Sequence, residues 1–270
     1  MPELPEVETT RRGIAPYLEG QILRRVDVRE PRLRWPVPEQ VLALRNQPVR
    51  QLRRRAKYLV IELEQEHLLL HLGMSGSLRV TRRVQERPGR HDHLDLVLAN
   101  GTLIRFTDPR RFGALLWSPA HRHHPLLQRL GPEPLSADFD GNRLHERARN
   151  RRVSVKSFLM NQEVVVGVGN IYAQESLFRA GIHPARSAGR ISRERYRRLA
   201  GAVREVLGEA IEAGGTTLRD FTSGEGRPGY FRQSLRVYGR AGQPCPVCGT
   251  PLRGTRQSQR ATVYCPRCQR

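Results

Sequence analysis

The residues best suited to chemistry stand at the start of the chain, in Met1-Pro2-Glu3-Leu4-Pro5-Glu6. No charged-then-apolar signal segment precedes them, so a mature start is expected. Removal of Met1 would leave Pro2 with a free secondary amine. A chain-terminal amine has a reference pKa of about 7.7–8.0, so a useful fraction is unprotonated near neutral pH. In that state it can attack an electrophilic carbon and form a Schiff base. A secondary amine yields an iminium ion, which stays positively charged and acts as an electron sink. Glu3 and Glu6 would set carboxyls close to this nucleophile for proton transfer. The competing reading is structural: Pro5 opens a helix, and Glu3, Glu6 and Glu8 complement its dipole.

A second pattern, Cys245-x2-Cys248 with Cys265-x2-Cys268, uses all four cysteines of the chain. The two knuckles have the spacing of a zinc ribbon with four thiolates in a tetrahedron. Disulfides are the rival reading, disfavoured without an export signal. One structural Zn2+ would fill every coordination position, so it folds the module and does no chemistry. A hairpin between the knuckles would present Arg256 and Arg260 to phosphate.

Weaker signals lie between these two. The glycine-bearing turn before Asn170 opens a helix whose N-terminus suits an anion. The run Arg53-Arg54-Arg55-Ala56-Lys57 is placed just before a strong strand, and a solvated basic edge is its plain reading. Met74 sits between glycines, and Phe112 sits at a turn beside Arg110 and Arg111. Apolar wedges next to basic side chains are suited to entering a base stack, and local packing is the alternative. The histidines form no convincing metal site; a DNA or phosphate contact is the most expected of His71 or His91.

Composition points the same way. The 270 residues carry a formal charge of +21, spread along the whole length, which makes a polyanion the expected partner. Of the 47 basic residues only Lys57 and Lys156 are lysine. Lysine can release a proton where arginine cannot, although a genome-wide arginine bias would also explain the imbalance. No apolar run approaches the roughly 20 residues of a membrane span.

These residues need a scaffold, and the hydrophobic pattern supplies one of α+β type. A helix is expected over 5–18. Short apolar runs follow from 22 to 117, clearest at Tyr58–Leu63, His67–Leu72, His93–Leu98 and Thr102–Phe106. Asn100-Gly101 is a hairpin turn between the last two. This half reads as a β-sandwich with the N-terminal helix packed on it, and a short helix near 37–46. Leu130–Ser136 is a turn-rich linker. Beyond it the period becomes helical, with helices near 138–150, 153–162 and 170–180. The longest is capped by Ser192, runs to Ala213 and is stopped by Gly214-Gly215. Residues 214–231 read as a mobile loop.

Taken together, Pro2–Thr9, Arg55–Tyr58, His71–Ser77, Thr107–Gly113, Gly167–Ala173, Gly229–Phe231 and the cysteine knuckles occur in the order of a known family. The chain closely resembles bacterial formamidopyrimidine-DNA glycosylase, essentially end to end. Leu4 and Val7-Glu8-Thr9 resemble this family rather than its sister, endonuclease VIII.

The resemblance implies a catalytic β-sandwich domain at 1–130, a linker at 131–136, a helix–two-turn–helix domain at 137–235 and a zinc finger at 236–270. It implies excision of oxidised purines, 8-oxoguanine opposite cytosine and formamidopyrimidines, from duplex DNA, with strand cleavage by β,δ-elimination. The nucleotide must be flipped out for this chemistry. On that basis Pro2 attacks C1′, Glu3 moves protons with Glu6 in support, and Lys57 contacts phosphate and donates a proton in β-elimination. Met74, Arg110 and Phe112 fill the void, with Arg110 facing the orphaned cytosine. Asn170 and Arg260 grip the backbone, Arg260 also acting in δ-elimination. His71, His91 and Arg151 contact DNA, and the loop Thr216–Tyr230 caps the lesion. Arg219 and Arg151 stand where some relatives carry lysine. Lys156 is expected to be structural or a DNA contact. A monomeric, cytoplasmic, nucleoid-associated bacterial protein is expected. The alternatives are an endonuclease VIII-like enzyme for oxidised pyrimidines and a catalytically silent binder of damaged DNA.

Overall fold

The computed structural model describes residues 2–81, 87–119, 124–215 and 235–270. Among these, residues within 1–128 together with 213–215 form one compact unit, and residues within 129–212 and 235–270 form a second. No helix among the described residues is long and apolar enough to cross a membrane.

Helix α1 (Leu4–Leu18) opens the first unit. It starts one residue before Pro5 because Glu3 and Glu6 form a capping box, in which the backbone N–H of Glu3 donates to Glu6 Oε2 at 2.8 Å. Two antiparallel sheets follow. One has the order β2 (Gln47–Pro48), β1 (Ile22–Val28), β7 (Asp92–Leu98), β8 (Leu103–Thr107), β6 (Ser77–Thr81). The other has the order β3 (Gln51–Arg55), β4 (Tyr58–Glu62), β5 (His67–His71), β9 (Ala114–Ser118). The short helix expected near 37–46 is α2 (Glu39–Ala43).

Strand alternation sends Leu94, Leu96, Leu98, Ile104 and Phe106 of one sheet into the same apolar cluster as Leu59, Ile61, Leu68 and Leu70 of the other. Val7, Ile14 and Leu18 of α1 join that cluster, so the unit is a sandwich with a flanking helix. Each such side chain contributes about 1.5–3 kcal/mol on burial. On the opposite face of β7, Asp95 meets Arg105 across the β7–β8 ladder at 2.8 Å and Arg29 at 2.9 Å. These buried charges are paired, which is the condition for tolerating them inside.

In the second unit α7 (Arg193–Glu212) packs on α4 (Gly141–Ala148) and α6 (Asn170–Arg179). Gly141 marks the α4–α7 crossing, because a Cβ there would run into the backbone of Tyr196 and Arg197. The helix expected at 138–150 is shorter because Asp140 caps it, its carboxylate accepting the Arg143 N–H at 2.7 Å. The one expected at 153–162 contracts to α5 (Val155–Leu159), capped by Ser154. A short helix, α3 (Pro125–Gln128), ends the first unit.

Strands β10 (Arg253–Gln257) and β11 (Arg260–Tyr264) form a hairpin whose turn residues, Ser258 and Gln259, both have positive φ, 48° and 60°. That is the twist-matched two-residue turn of antiparallel ribbons. The ribbon shares an apolar cluster with α6, formed by Phe178, Val237, Cys245, Leu252, Val263 and Cys265.

Candidate active site and nucleic-acid interface

In the first unit the head of α1 carries Pro2 and Glu3. Glu3 is 3% exposed and Glu6 is fully buried. Glu6 is spent on the Glu3 N–H, so the structure gives it a positioning place beside the pair rather than a free carboxyl aimed at a substrate. Gly215, at φ 80°, lies against Glu6; a Cβ there would come within 3.3 Å of Glu6 Oε1.

The strand expected after the basic run is β4; Arg53 to Arg55 themselves form the end of a further strand, β3, and Ala56 and Lys57 are the turn between the two. Lys57 is 8% exposed. His71, opposite Tyr58 in the β4–β5 ladder, packs against its ring at a tilt of 50° with centroids 4.9 Å apart. Burial, together with the charges of Lys57 and Arg34, pushes the His71 pKa down to about 4. Its Nδ1 accepts the Gly73 N–H at 3.0 Å, which assigns the ring proton of the neutral form to Nε2. A neutral imidazole with one N–H can donate to a phosphate without adding charge.

Met74 and Phe112 are 37% and 43% exposed, unusual for large apolar side chains. Their loops abut: Gly73, at φ 66°, lies against the backbone of Phe112 and Gly113, where no side chain would fit. The Arg110 guanidinium lies 5.0 Å from the Phe112 ring centroid. Asp108, fully buried, organises both loops. Its Oδ1 accepts from Ser75 Oγ at 2.7 Å and from the Arg110 N–H at 3.3 Å, and its Oδ2 accepts from the Gly113 N–H at 2.8 Å. His91 is tied to the same residue, its carbonyl accepting the Asp108 N–H at 2.9 Å. It lines a polar cleft with Arg29, Glu30, Arg90 and Arg111.

In the second unit, Asn170 is the first residue of α6 and donates through Nδ2 to the Ala261 carbonyl at 3.2 Å, while its Oδ1 is buried without a partner. Lys156 and Gln174 converge on that same carbonyl, at 3.4 and 3.1 Å. Lys156 also donates to Thr262 Oγ1 at 2.6 Å, and Gln174 Oε1 accepts the Val263 N–H at 2.6 Å. Arg260, next along β11, is thereby held at the start of a fixed strand with its side chain exposed. Arg151 lies apart from this knot, in a cleft with Arg152 and Arg190.

The four cysteine sulfurs all lie within 4.8 Å of one another, with Cys248–Cys265 at 3.5 Å and Cys245–Cys268 at 4.0 Å. Thiolates about 2.3 Å from a central zinc would be about 3.8 Å apart, so the donors fit one tetrahedral Zn2+. All four are free thiols rather than disulfides.

Comparison with known proteins agrees along the whole length. Residues 1–115 match the formamidopyrimidine-DNA glycosylase N-terminal domain, 130–222 the H2TH domain of the same enzyme, and 242–270 the zinc finger found in FPG and IleRS. The formamidopyrimidine-DNA glycosylase of Alcanivorax borkumensis is 64% identical over 100% of both chains. The chain belongs to the formamidopyrimidine-DNA glycosylase family. Among solved structures, MutM (Fpg) from Thermus thermophilus superposes with a TM-score of 0.89 at 42% identity, covering 99% of this chain and 98% of that one. The Lactococcus lactis Fpg G226P mutant, in complex with Fapy-dG-containing DNA, gives 0.91 at 33% identity with both chains fully covered.

Some residues that build the site escaped the sequence reading. Asp108 and Ser75 organise the wedge loops, with the Asp-Pro turn as the only signal. Glu175 accepts three backbone N–H groups, from Arg236, Val237 and Tyr238, at 2.8 to 3.0 Å. It thus anchors the chain just ahead of the cysteine ribbon. The expected lesion-capping loop at Thr216–Tyr230, with Arg219 and Gly229–Phe231, lies outside the described residues.

Proposed function

We propose that this chain is a bifunctional DNA glycosylase and abasic-site lyase of base-excision repair, acting on 8-oxoguanine opposite cytosine and on formamidopyrimidines. The Pro2 nitrogen bonds to C1′ of the flipped nucleotide as the glycosidic bond breaks, and the damaged base leaves with a proton that Glu3 helps deliver. The C1′–O4′ bond of the resulting aminal then breaks, O4′ taking a proton as the sugar ring opens, and the iminium so formed withdraws electrons, so C2′ loses a proton and the 3′ phosphate departs. Lys57 serves that β-elimination and Arg260 the δ-elimination.

Met74, Arg110 and Phe112 fill the space left in the duplex, an assignment supported by their exposure on two abutting loops. Asn170, Arg260, His71, His91 and Arg151 bind the backbone. The zinc ion, once bound, holds the hairpin of Arg256 and Arg260 and supplies no reactivity. The protein acts as a monomer on duplex DNA in the bacterial cytoplasm.

The observation that carries this reading is the Pro2–Glu3 pair at the buried, capped head of α1, in a chain that matches the family end to end. Competing duplexes carrying 8-oxoguanine opposite cytosine and thymine glycol test the substrate. Preferential release of the oxidised purine is expected, and preference for thymine glycol would transfer the chain to a pyrimidine-directed role.

A further inference from the structure

We infer that Glu8 and Arg54 are positioning residues for Lys57, an inference that rests on the role given to Lys57 above. Ala56 and Lys57 form a two-residue turn, closed by the Arg55–Tyr58 pair. Ala56 adopts φ 55°, a region that residues with a Cβ seldom occupy. Backbone preference therefore does not hold this turn, and a side-chain contact must.

Arg54 makes that contact. Its Nη1 donates to the Ala56 carbonyl at 2.9 Å. The peptide unit is planar, so fixing this oxygen also fixes the direction in which the backbone enters Lys57. The same guanidinium donates through Nε to Glu8 Oε2 at 3.2 Å. Both side chains are largely sheltered, 12% and 13% exposed. Burial pushes the Glu8 carboxyl up, but Arg11, Arg54 and Arg12 outweigh it and hold it below its ordinary value.

One planar fork thus joins two elements that the reaction needs in register: the helix whose head carries Pro2 and Glu3, and the turn that carries Lys57. Further bolts keep the helix and β3 together, since Arg11 donates to the Leu52 carbonyl at 3.4 Å and Glu19 accepts the Leu52 N–H at 2.8 Å. Lysine at position 54 would keep the charge but could not span both partners as the fork does.

A double-mutant cycle on the full-length, zinc-loaded protein tests this, read as the single-turnover rate of strand cleavage on a preformed abasic-site duplex. Misplacement by about 1 Å lowers such rates by about a hundredfold, and that loss is expected for Arg54→Ala at saturating DNA. The KM should move by less than about threefold. Arg54→Lys should lose most of the rate as well. In a Lys57→Ala background, Arg54→Ala should cause no further loss, because the side chain it positions is gone.

Wild-type cleavage by Arg54→Ala, or the same factor lost on top of Lys57→Ala, would overturn the inference while leaving the role of Lys57 intact. Normal cleavage by Lys57→Ala would remove that role itself, and the inference with it. Should Arg54→Ala fail to fold by circular dichroism, Glu8→Gln, which keeps the shape and one acceptor, is taken through the same cycle and judged by the same rule.

Discussion

Ser75 Oγ donates to Asp108 Oδ1 at 2.7 Å, tying the loop that carries Met74 to the loop that carries Arg110 and Phe112. The two loops are 33 residues apart in sequence and share this one buried carboxylate.

Removing that carboxylate separates stability from function. Asp108→Ala leaves the Ser75 hydroxyl and the Gly113 N–H without their carboxylate acceptor, at about 1–3 kcal/mol for each buried group left unpaired, while the Arg110 N–H keeps Ser75 Oγ at 3.3 Å. Denaturant unfolding should show a loss of about 3 kcal/mol or more. Met74→Ala, at an exposed tip, should stay within about 0.5 kcal/mol of the parent yet release base more slowly from duplex DNA. Equal stability of the two variants would contradict the organising role of Asp108.

Zinc removal should act on DNA binding. Cys245 and Cys265 lie in the apolar cluster shared by the ribbon and α6, so losing the ion loosens the hairpin that carries Arg256 and Arg260. Chelation, or Cys265→Ser, should weaken affinity for an abasic-site duplex. It should also reduce the slope of log affinity against log salt by about 0.9 for each phosphate that the protein no longer neutralises. Unchanged affinity and slope would show the ribbon to be dispensable for binding.

His71 sets a pH dependence whose sign follows from its depressed pKa. The folded protein holds this ring neutral down to about 4, against 6.5 ordinarily. Between those values the unfolded chain binds more protons, so the contribution of His71 is complete above about 6.5 and is lost as pH falls toward 4. Stability of His71→Gln should therefore lack this acid-side decline. In the free protein, NMR should place the ring midpoint well below 6; a midpoint near the ordinary value would refute the buried, cation-flanked environment.

What the sequence disclosed depended on how local each determinant was. The zinc knuckles, the Pro2–Glu3 pair and the Asn100-Gly101 turn are contiguous patterns, and the structure has the four sulfurs gathered and a β7–β8 hairpin with Gly101 at φ 83°. Strand β3 escaped because arginine occupies its outward and half-buried positions, hiding the alternation around Leu52. Glu6 offered two readings, dipole partner or proton carrier, and sequence could not reveal that its carboxylate holds the Glu3 N–H. Asp108, Glu175 and Lys156 work through partners 33 to 106 positions away, distances at which a single sequence gives no pairing signal.

The most direct measurement is borohydride reduction of the full-length protein on a duplex containing 8-oxoguanine opposite cytosine, followed by mass spectrometry of the cross-linked peptide. The expected product joins the Pro2 nitrogen, with Met1 removed, to the sugar of the damaged nucleotide. Active protein that retains Met1, or an adduct on Lys57 or Lys156 with Pro2 unmodified, would contradict the N-terminal imine.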